Sequence, residues 1–297
     1  MIAHAGAERR VQDMNHHDHL CLAYGDDAEQ RRVVAAYLTE GLRRGERVMY
    51  FADTSAPAEV LGWLAGSGTD PGPALATGQL AVTTADESYL AAGSFDPDAM
   101  VAGLWQEVEA SLAAGYTGFR VSGEMGWALR DVPGAERLAE YETKVNAVFA
   151  GGPASAICQY DTRRFSAEQL AAFHGCHPGE VEPEPLYADG TLRLVPSFRG
   201  GRRTLRVVGS VDYRTCDALA AALETALHWP GDVHVDMSGL EFIDLGGVRV
   251  LAHAAARLDA GRRLRVGELA PLLCQVIGMV GFADVPALVV TARGAGA

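Results

Sequence analysis

Hydrophobic positions follow two periods along the first half of the chain. Val33, Val34, Tyr37, Leu38 and Leu42 recur at helical spacing, so Ala28 to Arg44 predicts an amphipathic helix, stopped by Gly45. Asp27, in the turn Gly25-Asp26-Asp27, is the expected N-cap. Short apolar runs flank this helix: the second half of His16 to Tyr24 before it and Arg47 to Ala52 after it. The latter is apolar enough to be covered on both faces. Strand, helix and strand of these lengths make a βαβ unit and predict a parallel sheet. The pattern repeats through a helix Ala56 to Ala65, a strand Leu80 to Thr84, a helix Asp98 to Ala114 and a strand Phe119 to Ser122. A helix Gly134 to Phe149, a strand Ala154 to Tyr160 and a helix capped by Ser166 follow. Residues 15–180 therefore read as one α/β domain, and the polar, aperiodic residues 1–14 as a flexible leader.

Residues 181–190 contain Pro183, Pro185 and several acidic side chains with little to bury, and read as a linker. A second series begins after them and defines a domain at 191–292. Leu192 to Pro196 and Thr204 to Val208 predict strands around the basic turn Arg199 to Arg203, and Thr215 to His228 predicts a helix. Val233, Val235 and Met237 alternate as in a half-buried strand, a pattern that Ser238-Gly239 breaks. Asp244 stands where an N-cap belongs, and Gly246-Gly247 is expected to let the backbone turn sharply into an Ala-rich helix. Arg263 to Val266, Leu269 to Val280 and Ala287 to Val290 complete the series as strand, helix and strand.

At 297 residues and 48% hydrophobic, the chain can bury two cores. A net charge of −13 opposes a nonspecific grip on nucleic acid, which needs clustered cations. Lys144 is the only lysine. Five scattered cysteines fit a reduced compartment better than a disulfide scaffold. No apolar run is long enough to span a bilayer, and the start of the chain has no signal-like apolar core. The expectation is a cytoplasmic protein that binds neither nucleic acid nor membrane.

The strand, the turn at Asp244-Leu245-Gly246-Gly247 and the helix after it resemble the STAS domain of bacterial anti-sigma factor antagonists, and the order of elements agrees from Leu192 to Val290. The resemblance implies a partner-binding face at Ser210, Asp212, Ser238, Asp244, Leu245, Gly246 and Gly247. It also implies a partner that is an anti-sigma factor of histidine-kinase-like ATPase fold, or a related regulator. The first Ser of the family's turn is its phosphorylation site. Leu245 occupies that place and has no hydroxyl, which closes that route; Ser210 and Ser238 are nearby hydroxyls read as structural.

His19-x-Cys21, Glu124 to Trp127, Gly134 to Glu142 and Cys158-Gln159-Tyr160 resemble the MEDS domain, a sensory module related to RecA and KaiC cores. That likeness covers His17 to Val181. The fold class implied is α/β: an N-terminal RecA-like parallel-sheet sandwich without a P-loop, followed by a C-terminal STAS α/β domain. Where nucleotide-hydrolysing relatives carry Gly-x-x-x-x-Gly-Lys-Ser/Thr, this chain has Tyr24-Gly-Asp-Asp-Ala-Glu-Gln30. It lacks the Lys and the hydroxyl and adds three carboxylates that repel phosphate. No enzyme activity and no catalytic residue are expected. Glu124 has no evident partner for general-base chemistry and reads as a carboxylate bonded to the turn of Gly123 and Gly126.

Ligands of open α/β sheets sit beyond the carboxyl ends of strands. This places a small-molecule pocket at His19, Cys21, Tyr24, Glu124 and Trp127, with no cofactor named. His17, His19 and Cys21, and separately His174, Cys176 and His177, are residue types that bind zinc or copper. No closed Cys-x-x-Cys spacing supports a metal, so these rank behind the pocket. The combined reading is a signalling regulator whose STAS domain binds its partner under the control of a ligand on the sensory domain. A homodimer is compatible with it. The alternatives are a degenerate nucleotide-binding enzyme that docks through STAS, and a STAS domain used only for dimerisation.

Overall fold

The computed structural model describes residues 7–199, 201–279, 281 and 285–294. The chain divides into two compact units between Glu182 and Pro183. In the first, seven strands are β1 (Ala7–Arg9), β2 (His19–Tyr24), β3 (Arg47–Ala52), β4 (Leu80–Thr84), β5 (Phe119–Glu124), β6 (Ala154–Asp161) and β7 (Gly179–Val181). They form one parallel sheet in the order β1-β7-β2-β6-β5-β3-β4, with β6 in the middle. Helices α1 (Asp27–Arg43), α2 (Pro57–Gly66), α3 (Gly72–Thr77), α4 (Pro97–Ala113), α5 (Leu138–Gly151) and α6 (Ala167–Cys176) connect the strands. Every residue of β5 and β6 is buried, as expected of central strands in a sheet covered on both sides.

Four local expectations are corrected. The leader is ordered from residue 7: β1 pairs with β7, and Met14 is fully buried in the core; residues 1–6 lie outside the described residues. The cap of α1 is Asp26, whose extended backbone lets its carboxylate accept from Glu29 N at 2.8 Å, and Asp27 is already helical. A short 3-10 turn, Ala135–Arg137, precedes α5. It begins at Gly134, whose φ of +90° and approach to the Phe95 carbonyl exclude a side chain. The interval 181–190 is part sheet: Val181 ends β7, and Tyr187–Ala188 forms β8 of the second unit.

The second unit is a six-stranded sheet in the order β13-β12-β11-β10-β9-β8. Its remaining strands are β9 (Leu192–Arg199), β10 (Arg202–Val211), β11 (Val233–Ile243), β12 (Leu264–Leu269) and β13 (Leu288–Ala292). Pairings β8/β9 and β9/β10 are antiparallel and the rest parallel. Helices α7 (Cys216–Leu227), α8 (Leu245–Ala256) and α9 (Pro271–Met279) contribute Leu219, Leu223, Leu251 and Ile277 to a core with Leu205, Val207, Val235 and Val266. Ser238-Gly239 does not end β11. The strand continues through two register shifts against β10, bulges that absorb extra residues and turn its later side chains outward.

At the amino-terminal edge of the first sheet, Arg120 and Glu46 form a buried ion pair. The guanidinium lies 4.4 Å over the Tyr37 ring, and His16 Nε2 is 3.1 Å from the second Glu46 oxygen. Gly41 on α1 leaves the room, since a Cβ there would stand 2.5 Å from Arg120 Cδ. Glu46→Gln strands a buried cation and should cost about 3–5 kcal/mol in urea denaturation. An unchanged midpoint would show that Arg120 is not held by this pair.

Candidate functional sites

Residues paired across parallel strands point to the same face, and neighbours along a strand to opposite faces. Register therefore sorts the polar residues of the first unit into two groups. His19 and Cys21 of β2 share a face with Ala156 and Cys158 of β6. Glu124 of β5 pairs with Gln159, on the opposite face, and stands three residues further along the strands than His19. His19 lies at the amino end of β2, not at its carboxyl end. The five residues read as one pocket are buried, and they are divided between the two faces.

On the first of these faces four buried side chains converge: His19, Glu142 of α5, Cys158, and His177 just after α6. Their donor atoms all lie within 4.8 Å of one another. His19 Nε2 is 3.3 Å from both Cys158 Sγ and Glu142 Oε2, and His177 Nε2 is 3.3 Å from the same carboxylate oxygen. Glu142 Oε1 accepts from Tyr160 Oη at 2.5 Å. Burial lowers the His19 imidazole and pushes the Cys158 thiol well up. Burial also acts to raise Glu142, but the neighbouring His177 and His19 imidazoles hold it well below the usual carboxylate range. Of the metal candidates named from sequence, His19 and His177 belong to this cluster. His17 instead contacts the Phe149 carbonyl, His174 lies 3.7 Å from Glu180, and Cys21 and Cys176 are not members. Glu142 and Cys158 were missed. The available signal was Glu142 itself, a carboxylate at helical spacing among the apolar Leu138, Tyr141, Val145 and Phe149.

Across the sheet, Glu124 closes a different network. Its Oε2 accepts from three successive backbone N–H groups, Asp53 at 3.0 Å, Thr54 at 2.5 Å and Ser55 at 3.0 Å. Its Oε1 accepts from Tyr50 at 2.8 Å, and Gln30 donates to Gln159 at 2.9 Å beside it. Glu124 thus caps the loop after β3, not the turn of Gly123 and Gly126. Arg130 pairs with Asp53, whose carboxyl burial raises against that cation's pull. Trp127 belongs to an aromatic cluster, stacked on Tyr89 at 5.1 Å and beside Phe95 at 4.6 Å. Tyr24 ends β2 with its phenol pushed up by burial and by Asp161. A cleft of about 310 Å³ is lined by Asn15, His16, His17, Arg44, Glu46 and Thr117, and by none of the five predicted ligand residues.

In the place of a phosphate loop, only Gly25 and Asp26 separate β2 from α1. Two N–H groups here are taken by the chain's own carboxylates: Asp26 accepts from Glu29 N, and Glu29 Oε2 accepts from Gly25 N at 3.1 Å.

In the second unit, Asp244 caps α8 by accepting from Gly247 N at 2.9 Å, while its own N–H donates to Val211 O. Gly246 and Gly247 lie inside the helix without positive φ, so they are not what turns the chain. Gly247 is small because a Cβ would strike Val211 and Ile243 at 2.6–2.7 Å. Ser210 pairs with Phe242 beside this turn, and Asp212 is engaged by Arg214 at 2.8 Å. Ser238 stands apart, six residues before Asp244 and about 20 Å along an extended strand, with its carbonyl bonded to Arg293. Around the helix start, large apolar side chains face solvent: Leu245 at 49% exposure, Phe242 at 54% and Tyr213 at 82%. Phe242 and Tyr213 were missed, because nothing in their spacing tells an exposed aromatic from a buried one.

The two units match two families whose domains support a regulatory or signalling role. The family described as "MEthanogen/methylotroph, DcmR Sensory domain" (MEDS) matches residues 18–178, more than half the chain, and the chain belongs to it. The description "Mlab, STAS domain" matches residues 195–290, so the second unit is a STAS domain. The transcriptional repressor DcmR of Methylorubrum extorquens is 30% identical over 162 residues, which cover 53% of this chain and 57% of the repressor. Among solved structures, an anti-sigma factor antagonist from Mycobacterium paratuberculosis is 22% identical with a TM-score of 0.31, covering 34% of this chain and 88% of its own. The KaiC-like protein PH0186 from Pyrococcus horikoshii is 14% identical with a TM-score of 0.42, covering 65% and 85%. No described helix is long and apolar enough to cross a membrane.

Glu124→Gln replaces one acceptor oxygen by a donor against three backbone N–H groups and Tyr50. Hydrogen bonds to a charged acceptor contribute about 1.5–3 kcal/mol each, so a loss of at least that size is expected in denaturant unfolding of the full chain. Native stability in this variant would show that the carboxylate does not hold the loop.

Proposed function

We propose that this chain is a non-enzymatic signalling regulator. Its STAS domain captures a protein partner, an anti-sigma factor of histidine-kinase-like ATPase fold or a related regulator, and a small molecule sensed by the MEDS domain gates that capture. The observation that carries the reading is the apolar face of Leu245, Phe242 and Tyr213 at the start of α8. Exposed aromatic and aliphatic side chains around a rigid capped turn are what a protein interface buries at its centre. Leu245 carries no hydroxyl, so control of this turn by phosphorylation gives way to control from the other domain. The matched MEDS family is sensory by description, which supports assigning the input there. Nucleotide hydrolysis is opposed by the carboxylates of Asp26 and Glu29 at the helix start, which accept from Glu29 N and Gly25 N. Steady ATP turnover by the pure chain, abolished by Glu124→Gln, would overturn the non-enzymatic part.

The partner face is tested by affinity for the cognate anti-sigma factor measured beside melting temperature. Leu245→Asp must desolvate a carboxylate on binding and should weaken the complex by ten-fold or more, about 1.4 kcal/mol, with melting unchanged. Leu245→Ser should restore a phosphoacceptor and keep the fold, whereas Asp244→Ala should lower stability by about 1 kcal/mol as a lost cap. Equal binding by the parent and Leu245→Asp would remove this face as the interface.

A further inference from the structure

We propose that His19, Glu142, Cys158 and His177 form a closed, four-coordinate site for zinc inside the MEDS domain. The inference is independent of the partner reading, which stands or falls on the STAS domain.

The tautomers follow from the surrounding partners. Asn146 Nδ2 donates to the carbonyls of Glu142 at 3.0 Å and Cys176 at 2.8 Å, so its Oδ1 is the atom that faces His19 Nδ1 at 2.8 Å and must accept. His19 Nδ1 therefore carries the proton. His177 Nδ1 lies 2.7 Å from the Phe173 carbonyl, which can only accept, so it carries its proton as well. In each neutral imidazole the Nε2 lone pair is left facing inward. Metal-binding histidines are characteristically oriented this way, through a hydrogen bond from the other ring nitrogen.

Inward, those lone pairs meet a carboxylate oxygen and a sulfur in a space sealed from water. Tyr160 occupies Glu142 Oε1 and leaves Oε2 pointing at both imidazoles. Glu142 Oε2 and His177 Nε2 are buried and make no hydrogen bond, although they lie 3.3 Å apart. One proton on one imidazole, with the Cys158 S–H as the other donor, still leaves one imidazole Nε2 against Glu142 Oε2 as acceptor against acceptor. A single cation among the four atoms satisfies all of them. The spacing suits it: bonds of about 2.0–2.3 Å to a tetrahedral ion place neighbouring donors about 3.3–3.8 Å apart; three of the donor pairs stand 3.3 Å apart and all four atoms lie within 4.8 Å of one another. Two nitrogens, one thiolate and one carboxylate suit zinc better than magnesium or calcium, which prefer all-oxygen shells. Zinc with one thiolate and one carboxylate is also neutral, as a dry interior requires. All four coordination positions come from the protein, so the ion would be held structurally: it ties β2, α5, β6 and the end of α6 together and leaves no position open for a substrate.

The test uses the full chain, unfolded in denaturant with a chelator and refolded with or without zinc. About one zinc per chain should remain after desalting, and the melting temperature should rise with it, because binding a site absent from the unfolded chain is folding free energy. Cobalt in place of zinc should give the visible bands of a tetrahedral ion and a thiolate-to-metal charge-transfer band. That band should persist when the partly exposed Cys176, Cys216 and Cys274 are replaced by Ser, and disappear in Cys158→Ser. His177→Gln should lower zinc affinity at least ten-fold. The proposal is overturned if the parent retains no zinc and melts alike with and without it. It is equally overturned if cobalt shows no thiolate band in the parent, or if folded Cys158→Ser and His177→Gln chains retain zinc as the parent does. The parent spectrum decides the matter should the variants fail to fold.

Discussion

The alternation of side chains along β6 is the constraint on which the first domain depends. This strand lies in the middle of a parallel sheet whose faces are both covered, so each of its residues must find a buried partner on one side or the other. Cys158 and Tyr160 point to the face of His19, Glu142 and His177, while Gln159 between them points to Glu124, Gln30 and Tyr50. One tripeptide thus anchors two polar networks that never share a side chain. A slip of one residue would exchange them, bringing Gln159 to the histidines and Cys158 to Glu124, and would leave both sets unpaired. Register in β6 is specified by hydrogen bonding and charge as well as by apolar burial.

The Glu124 network has a consequence for the chemistry available at the sheet's carboxyl end. In folds of this layout that end is where ligands bind. Here two of its backbone sources of positive potential are occupied by the protein's own carboxylates. Glu124 takes the three N–H groups of the loop after β3, and Asp26 and Glu29 take Glu29 N and Gly25 N around the start of α1. An anion entering either place would have to displace a carboxylate that is already bonded, and would meet its charge in doing so. At these two places the chain's own carboxylates stand where that layout elsewhere offers backbone N–H groups to phosphate.

How much of this was legible follows the same division. Strands β3 and β4 were readable to the residue, because continuous apolar runs bounded by turn residues have few other solutions. The cap at Asp244 was readable because it depends on neighbours in sequence. Most helix limits moved by a residue or two, but the start of α5 moved by four, from Gly134 to Leu138, and the short α3 was not read at all. The cap of α1 fell on Asp26 because two adjacent aspartates compete and only backbone conformation chooses between them. What stayed hidden depended on residues far apart: Glu142 beside His19, or Glu124 under the loop of Asp53. Grouping His19 with Glu124 failed because a strand has two faces and two ends, and the grouping assigned neither. The leader and linker were read as loose because their strands, β1 and β8, are three and two residues long and carry no period.

In the second domain the glycines after Asp244 were expected to bend the chain, yet Asp244 makes the turn and Gly247 keeps α8 close to Val211 and Ile243. That close seat fixes the helix start against the ends of β10 and β11. Leu245 follows the cap, its backbone held on one side by Asp244 and on the other by Gly247. It is therefore exposed without being free to fold inward, and the bulges of β11 turn Phe242 out beside it. Ordering such a surface costs little when a partner arrives, because the backbone entropy was lost on folding. A phosphorylatable turn changes its binding by adding charge at this place. A leucine there offers no hydroxyl to carry such a charge, so under the function proposed above the control of this face is assigned elsewhere in the chain.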